Sequence, residues 1–184
     1  MQLLTQRLIL REFEEGDWVH TQVYESNPLV VRYQTNDVLN EQQSREYLRG
    51  SIATAREEPR RTFDLAVTLR EAGTLIGRAG LQRADVEPRE AALWFVGNPT
   101  HWGKGYITEA ATALLRFGFE ELGLHRVFGD CDPRNPASAR VMEKLGMRKE
   151  AHFVENAFIK GQWCDSLIFA LLQREWRSRA SLPT

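Results

Sequence analysis

Residues 102–109 read Trp-Gly-Lys-Gly-Tyr-Ile-Thr-Glu, and the two glycines carry the first suggestion of chemistry. Lacking a Cβ, Gly103 and Gly105 let the backbone turn several N–H groups toward one point. A helix reading begins at the same place, so its positive end stands behind those N–H groups. Such an element suits an anion such as a pyrophosphate, with Lys104 either adding charge or simply solvated. The alternative is a tight strand-to-helix turn that holds nothing. Two familiar phosphate loops do not fit. GxxxxGK followed by Ser or Thr is absent, and Thr108 stands where the third glycine of GxGxxG belongs.

A second candidate is Asn135-Pro136-Ala137-Ser138-Ala139-Arg140. Asn before Pro is a well-formed helix start, with Asn as cap and Pro in the first helical position. Ser138, Val141, Met142 and Leu145 then recur at i, i+3, i+4 and i+7, which puts Ser138 on the apolar, inward face. Its hydroxyl either bonds back to the helix backbone or points into a cleft. Cys131 and Cys164 have no CxxC spacing, and His20, His101, His125 and His152 are scattered, so no metal is expected. No Ser-His-Asp or Cys-His pattern demands a covalent enzyme intermediate.

These residues need a framework. Alternation predicts a strand over residues 7–13, and residues 63–69, 74–81, 91–96, 126–131, 147–154 and 163–171 also read as strands. Asp17 is expected to cap a helix carrying Trp18, Val19 and Tyr24 and fading at Asn27-Pro28. Asn40 opens another that reaches Glu57. A wide apolar face predicts one long helix over 105–122, closed by Gly123. The helix that starts at Asn135-Pro136 runs to Gly146. The order predicts an α/β (α+β) fold, a mixed sheet of about seven strands covered by helices.

The chain has 184 residues, and 24 basic side chains nearly balance 25 acidic ones. One domain spanning residues 1–184 is expected, and the balance gives no reason to propose nucleic acid or an anionic membrane as partner. Arg7 and Arg11 interrupt the apolar start, so neither a signal peptide nor a membrane span is read there. A reducing, cytoplasmic setting is expected.

Several pieces together resemble the GNAT superfamily of N-acetyltransferases, and its ribosomal-protein branch (RimJ/RimL-type) in particular. They are Thr5-Gln6-Arg7-Leu8 with Leu10-Arg11, Leu75-Ile76-Gly77-Arg78-Ala79-Gly80-Leu81, and His101-Trp102-Gly103-Lys104-Gly105-Tyr106 with Thr108-Glu109-Ala110. Further on come Leu124-His125-Arg126-Val127, Asp132-Pro133-Arg134-Asn135-Pro136-Ala137-Ser138, Lys144-Leu145-Gly146-Met147 and the segment from Gly161 to Asp165. The resemblance implies a mostly antiparallel sheet splayed between its fourth and fifth strands, here residues 93–96 and 126–131. Acetyl-CoA is the implied co-substrate, with Phe95, Val96, Trp102, Gly103, Lys104, Gly105, Tyr106, Ile107, Asn135 and Ser138 as binding positions. Ser138 is the implied general acid toward the departing thiolate, with Asn135 beside it. Thr100 replaces the Gln or Arg that often opens the loop in the wider superfamily, and no tyrosine acid follows Ser138.

The implied reaction is direct acetyl transfer in a ternary complex to a primary amine, on a protein N-terminus or a small molecule. The alternatives are an acyl-cysteine step at Cys131 and a non-catalytic acyl-CoA-binding module of the same fold. An α-amine is roughly 10% neutral at pH 7 and a lysine about 0.04%, so a lysine acceptor needs the stronger base. Glu12, Glu109, Asp130, Glu150 and Asp165 are the candidates. The family likeness implies a monomer or homodimer.

Overall fold

The computed structural model of the protein describes residues 1–180; the expected domain extends to 184, and residues 181–184 lie outside the described residues. Eight strands form one sheet in the order β1-β2-β3-β4-β5-β6-β8-β7. In chain order they are β1 (Gln2–Leu4), β2 (Leu8–Arg11), β3 (Thr62–Leu69), β4 (Leu75–Arg83), β5 (Glu90–Gly97), β6 (Arg126–Cys131), β7 (Arg148–Ile159) and β8 (Gln162–Leu172). The helices are α1 (Trp18–Glu25), α2 (Pro28–Val31), α3 (Glu41–Thr54), α4 (Tyr106–Arg116), α5 (Pro136–Lys144) and α6 (Gln173–Ala180). The mixed sheet of the sequence reading is present, with β1 as an eighth strand too short to carry a pattern of its own.

Helices cover both faces of the central strands, so β3 and β4 are buried almost throughout rather than alternating in and out. On one face α4 and α5 pack over the large core that includes Leu65, Leu81, Leu93, Leu114, Val127 and Phe169. On the other, α1 and α3 close over Phe13, Tyr24, Leu48, Ala66 and Leu75.

Local chemistry explains most boundaries. Asn40 accepts from the Gln43 N–H at 3.0 Å, while the Gln43 side chain accepts from the Asn40 N–H at 2.9 Å. This reciprocal cap starts α3 where the sequence places it. Asp17 does not cap α1. A 3-10 turn (Glu15–Asp17) precedes the helix. The Asp17 carboxylate turns back to the Glu14 N–H at 2.9 Å and to the Arg11 guanidinium at 2.7 and 2.8 Å. A buried carboxylate gains more from a bidentate guanidinium than from a lone helix N–H. Nor is 105–122 one α-helix. After Arg116 the chain widens into a π turn (Phe117–Glu121), which sets Phe117 edge-on to Phe63 and Phe119 against Trp176.

The second face has a polar centre. Arg78, on β4, is 1% exposed. It donates to Asp64 through Nε (3.3 Å) and Nη2, to Glu25 through Nη1 (3.2 Å) and to Ser51 (2.7 Å). Its guanidinium also lies 4.1 Å from the Tyr47 ring and 5.3 Å from that of Trp94. Removing one partner of a buried charged network leaves the others uncompensated, at a cost of about 3–5 kcal/mol. Arg78→Ala should therefore lose stability of that order in urea unfolding. A loss below about 1 kcal/mol would mean that water already screens the cluster.

Candidate active site

Among the described residues the only parallel neighbours in the sheet are β5 and β6. They pair at three positions, Glu90↔Arg126, Ala91↔Val127 and Ala92↔Phe128. Beyond these β5 continues to Gly97 and β6 to Cys131 with no further pairing between them, so the sheet splays there as expected. A parallel pair needs a crossover, which α4 supplies. Since β5 leads to α4 and β6 to α5, both helices start at the carboxyl end of the splayed pair. That end is where open α/β sheets receive ligands.

Asn98 begins the loop by accepting from the Thr100 N–H at 3.1 Å. The Trp102 indole N–H returns to the Gly97 carbonyl at 2.7 Å. Gly103 and Gly105 then take φ values of +74° and +79°, a left-handed conformation costly to residues with a Cβ. At Gly103 a Cβ would meet nothing within 4 Å, so backbone shape rather than crowding requires glycine there. Among the described residues, the backbone N–H groups from Gly103 to Thr108 have no hydrogen-bond acceptor, and no side chain caps α4. Lys104 folds its ammonium onto the Thr100 carbonyl at 3.2 Å.

The other loop-side residues contribute backbone more than side chain. Ile107 packs beneath the sheet, 3.0 Å from where a Gly97 Cβ would sit. Phe95 lies against the larger core and Val96 against the smaller one, so the two side chains leave β5 on opposite faces. The edge that β5 offers to the gap beyond Ala92 is peptide.

Across the gap, Asn135 caps α5 and meets Ser138 twice. Asn135 Oδ1 accepts from the Ser138 N–H at 3.3 Å, and Asn135 Nδ2 donates to Ser138 Oγ at 3.0 Å. The cap fixes which way the amide points, so Oγ receives a hydrogen bond and its own proton has no acceptor among the described residues. The Ser138 hydroxyl thus bonds to the capping side chain rather than back to the helix backbone.

The five carboxylates considered as bases part company. Glu12 is held by Arg60 at 2.7 and 3.1 Å and by the terminal amine at 2.9 Å. Glu109 is held by Thr5 and Arg7, Glu150 by Arg126 and Arg148, and Asp165 by His152 at 2.7 Å and the Glu155 N–H at 2.9 Å. Donors hold all four below the usual carboxylate range, for Glu12 and Glu109 against burial that would raise them. The Asp130 carboxylate makes no hydrogen bond or ion pair among the described residues. It lies on β6 two residues past the last pair with β5. By strand alternation it shares the face of Phe128, and hence that of Ala92, Trp94, Val96 and Arg78.

Trp94 is the residue that pattern reading missed. Its ring lies so close over Gly80 that a Cβ there would approach it to 2.5 Å, which accounts for one of the two β4 glycines. The signal was present as a glycine inside a strand, but only the register Gly80↔Trp94 names the partner. Among the described residues no group of three or more His, Cys, Asp or Glu side chains is placed to hold a metal, and no helix is long and apolar enough to cross a membrane.

Comparison with known proteins agrees with this geometry. The acetyltransferase (GNAT) domain family matches residues 7–148. The uncharacterized N-acetyltransferase YnaD of Bacillus subtilis is 35% identical over 176 residues, covering 96% of this chain and 99% of its own. The [ribosomal protein uS5]-alanine N-acetyltransferase of Escherichia coli is 34% identical over 74 residues, 40% of this chain and 38% of its own. The crystal structure of a GNAT-family acetyltransferase from Bacillus anthracis superposes with a TM-score of 0.86 at 32% identity, covering 95% of this chain and 100% of that one. The chain belongs to the GNAT acetyltransferase family and is an acetyl-CoA-dependent N-acetyltransferase.

Proposed function

We propose that the chain, acting as one domain, transfers the acetyl group directly to a primary amine, and that it groups with the RimJ/RimL-type enzymes, for which an α-amine is the simplest acceptor. The observation that carries this is the gap beyond Ala92↔Phe128, framed by two helix starts whose N–H and O–H protons are unspent. The glycine loop fits a pyrophosphate, having unbonded N–H groups and open space at Gly103. Trp102 and Lys104 shape that loop, while Tyr106, Ile107 and Phe95 present peptide groups to the gap and Val96, whose carbonyl faces Gly77 on β4, backs them. Bound there, acetyl-CoA supplies the activated acyl group. Peptide N–H groups on the free edge of β5 stabilise charge developing on the carbonyl oxygen. As the C–N bond forms and the C–S bond breaks, the Ser138 hydroxyl, oriented by Asn135, gives its proton to the departing sulfur and regains one from the new amide nitrogen. On the opposite face Asp130 holds the incoming ammonium and receives its proton.

Direct transfer is favoured over an acyl-cysteine because Cys131 is 7% exposed and its thiol is pushed up to about 11 by burial and by the charges of Asp130, Asp132 and Glu143. Only about one molecule in ten thousand then carries a thiolate at neutral pH, and the thiolate is the nucleophile.

Three outcomes test this reading. Ser138→Ala should lower kcat by about a hundredfold while acetyl-CoA affinity, measured by calorimetry, stays within about threefold; a collapse of affinity with kcat kept would make Ser138 a binding residue. Asp130→Asn should raise the acceptor KM about tenfold or more and leave acetyl-CoA affinity alone. The native protein should react slowly with a thiol-specific chromophoric reagent, and Cys131→Ala should keep its turnover. Acetyl-CoA-dependent thiol release against free-N-terminus peptides, lysine-only peptides, polyamines and aminoglycosides then identifies the acceptor. Release with lysine-only peptides alone would reject the α-amine. Tight acetyl-CoA binding with silence across the panel would favour a non-catalytic acyl-CoA-binding module.

A further inference from the structure

The turn between β1 and β2, residues 5–7, lies about a hundred positions from the glycine loop in sequence and against it in space. Thr5 gives its hydroxyl proton to Glu109 Oε1 at 2.6 Å. The Arg7 N–H donates to the same oxygen at 2.9 Å, and Arg7 Nε donates to Oε2 at 2.7 Å. Three donors thus converge on one carboxylate in the first turn of α4. The turn is itself held from behind, where the Arg70 N–H donates to the Arg7 carbonyl at 2.9 Å and the Arg70 guanidinium to the Thr5 carbonyl at 3.3 Å.

With Nε committed to Glu109, the rest of the guanidinium reaches the loop. Arg7 Nη1 donates to the Lys104 carbonyl at 3.1 Å. Nη2 lies 3.5 Å from where a Cβ on Gly105 would be, and the plane sits 4.6 Å from the centre of the Tyr106 ring. The Lys104 carbonyl and the Gly105 N–H belong to one peptide plane, and in a trans peptide they point in opposite directions. By fixing the carbonyl toward the β1–β2 turn, Arg7 fixes the Gly105 N–H away from it, into the space in front of the loop. Glu109 alone would set an anion beside the start of α4, where another anion is to be received. Arg7 offsets that charge.

Resting on the reading of the glycine loop as the pyrophosphate seat, we infer that Arg7, held by Glu109, is a positioning residue of the cofactor site, acting through the Lys104–Gly105 peptide rather than by touching phosphate. The guanidinium must serve Glu109 and Lys104 at once. A lysine, with one compact head, cannot do this.

The test is a double-mutant cycle of Arg7→Ala and Glu109→Gln on the full chain, with Arg7→Lys as third variant, each checked for cooperative thermal unfolding. Acetyl-CoA and acetyl-pantetheine, which carries the thioester but no pyrophosphate, are compared as donors. Each single variant should weaken acetyl-CoA about tenfold or more, with the acceptor KM unchanged and acetyl-pantetheine turnover within about twofold of wild type. The double variant should be no weaker than the singles, because both break one linkage. Arg7→Lys should not restore affinity and keeps the test open if Arg7→Ala fails to fold. Full affinity in Glu109→Gln beside a weak Arg7→Ala would mean that Arg7 meets phosphate directly, and would overturn positioning. Equal loss with both donors would make the strap a general support of the fold and overturn it too. Acetyl-CoA binding no tighter than acetyl-pantetheine in the wild type would instead remove the pyrophosphate seat itself.

Discussion

Three residue pairs decide the architecture. A parallel contact between β5 and β6 cannot be closed by a turn, so it brings a crossover helix, and the two strands come to share one carboxyl end. Because pairing stops after Ala92↔Phe128, that end is open. The starts of α4 and α5 are then obliged to face the same opening, one with bare peptide N–H groups and the other with a serine hydroxyl. Had the pairing continued to Phe95 and Cys131, the same residues would have formed an ordinary sheet interior. The site is the place where hydrogen bonding between two strands was given up, and the peptide groups released by it are the ones available for chemistry.

Each face of the opening is supplied by a different part of the chain. The side of the glycine loop is built from local geometry, with positive φ at Gly103 and Gly105 and the Asn135 cap. The opposite side is built from distant charges around Arg78, where α1, α3 and β3 each bring a polar side chain to one guanidinium. This cluster seats the two helices and lies against Trp94. The packing of that face and the shape of the opening on that side are therefore set by the same residues.

What the sequence disclosed follows from this division. The loop at 102–106 and the start of α5 were readable because glycine, Asn-Pro and helix periodicity act within a few residues. Asn-Pro announces the start of α5 at 135–136, but at 27–28, where the sequence predicts a helix end, it starts the short helix α2 with Asn27 accepting from the Leu29 N–H at 3.0 Å. Identical chemistry was lost there because no apolar stripe follows. Helix α6 is too polar to announce itself, although Trp176 packs on Phe119. Asp130 stood unresolved among five carboxylates, since only tertiary contacts show that four are occupied. Trp94, Arg78 and the grip of Arg7 on Lys104 depend on register, which one-dimensional patterns do not contain.

The placement of β8 also bears on how the molecule is made. It enters between β6 and β7 and pairs with every residue of β6, whereas β5 supplies partners to only half of that strand. A nascent chain that has emerged through β6 and α5 thus carries an exposed, half-bonded edge until residues 162–172 arrive. The far wall of the cleft is accordingly among the last parts to be secured, and the chain gains its opening only after its final strand has closed the sheet beside it.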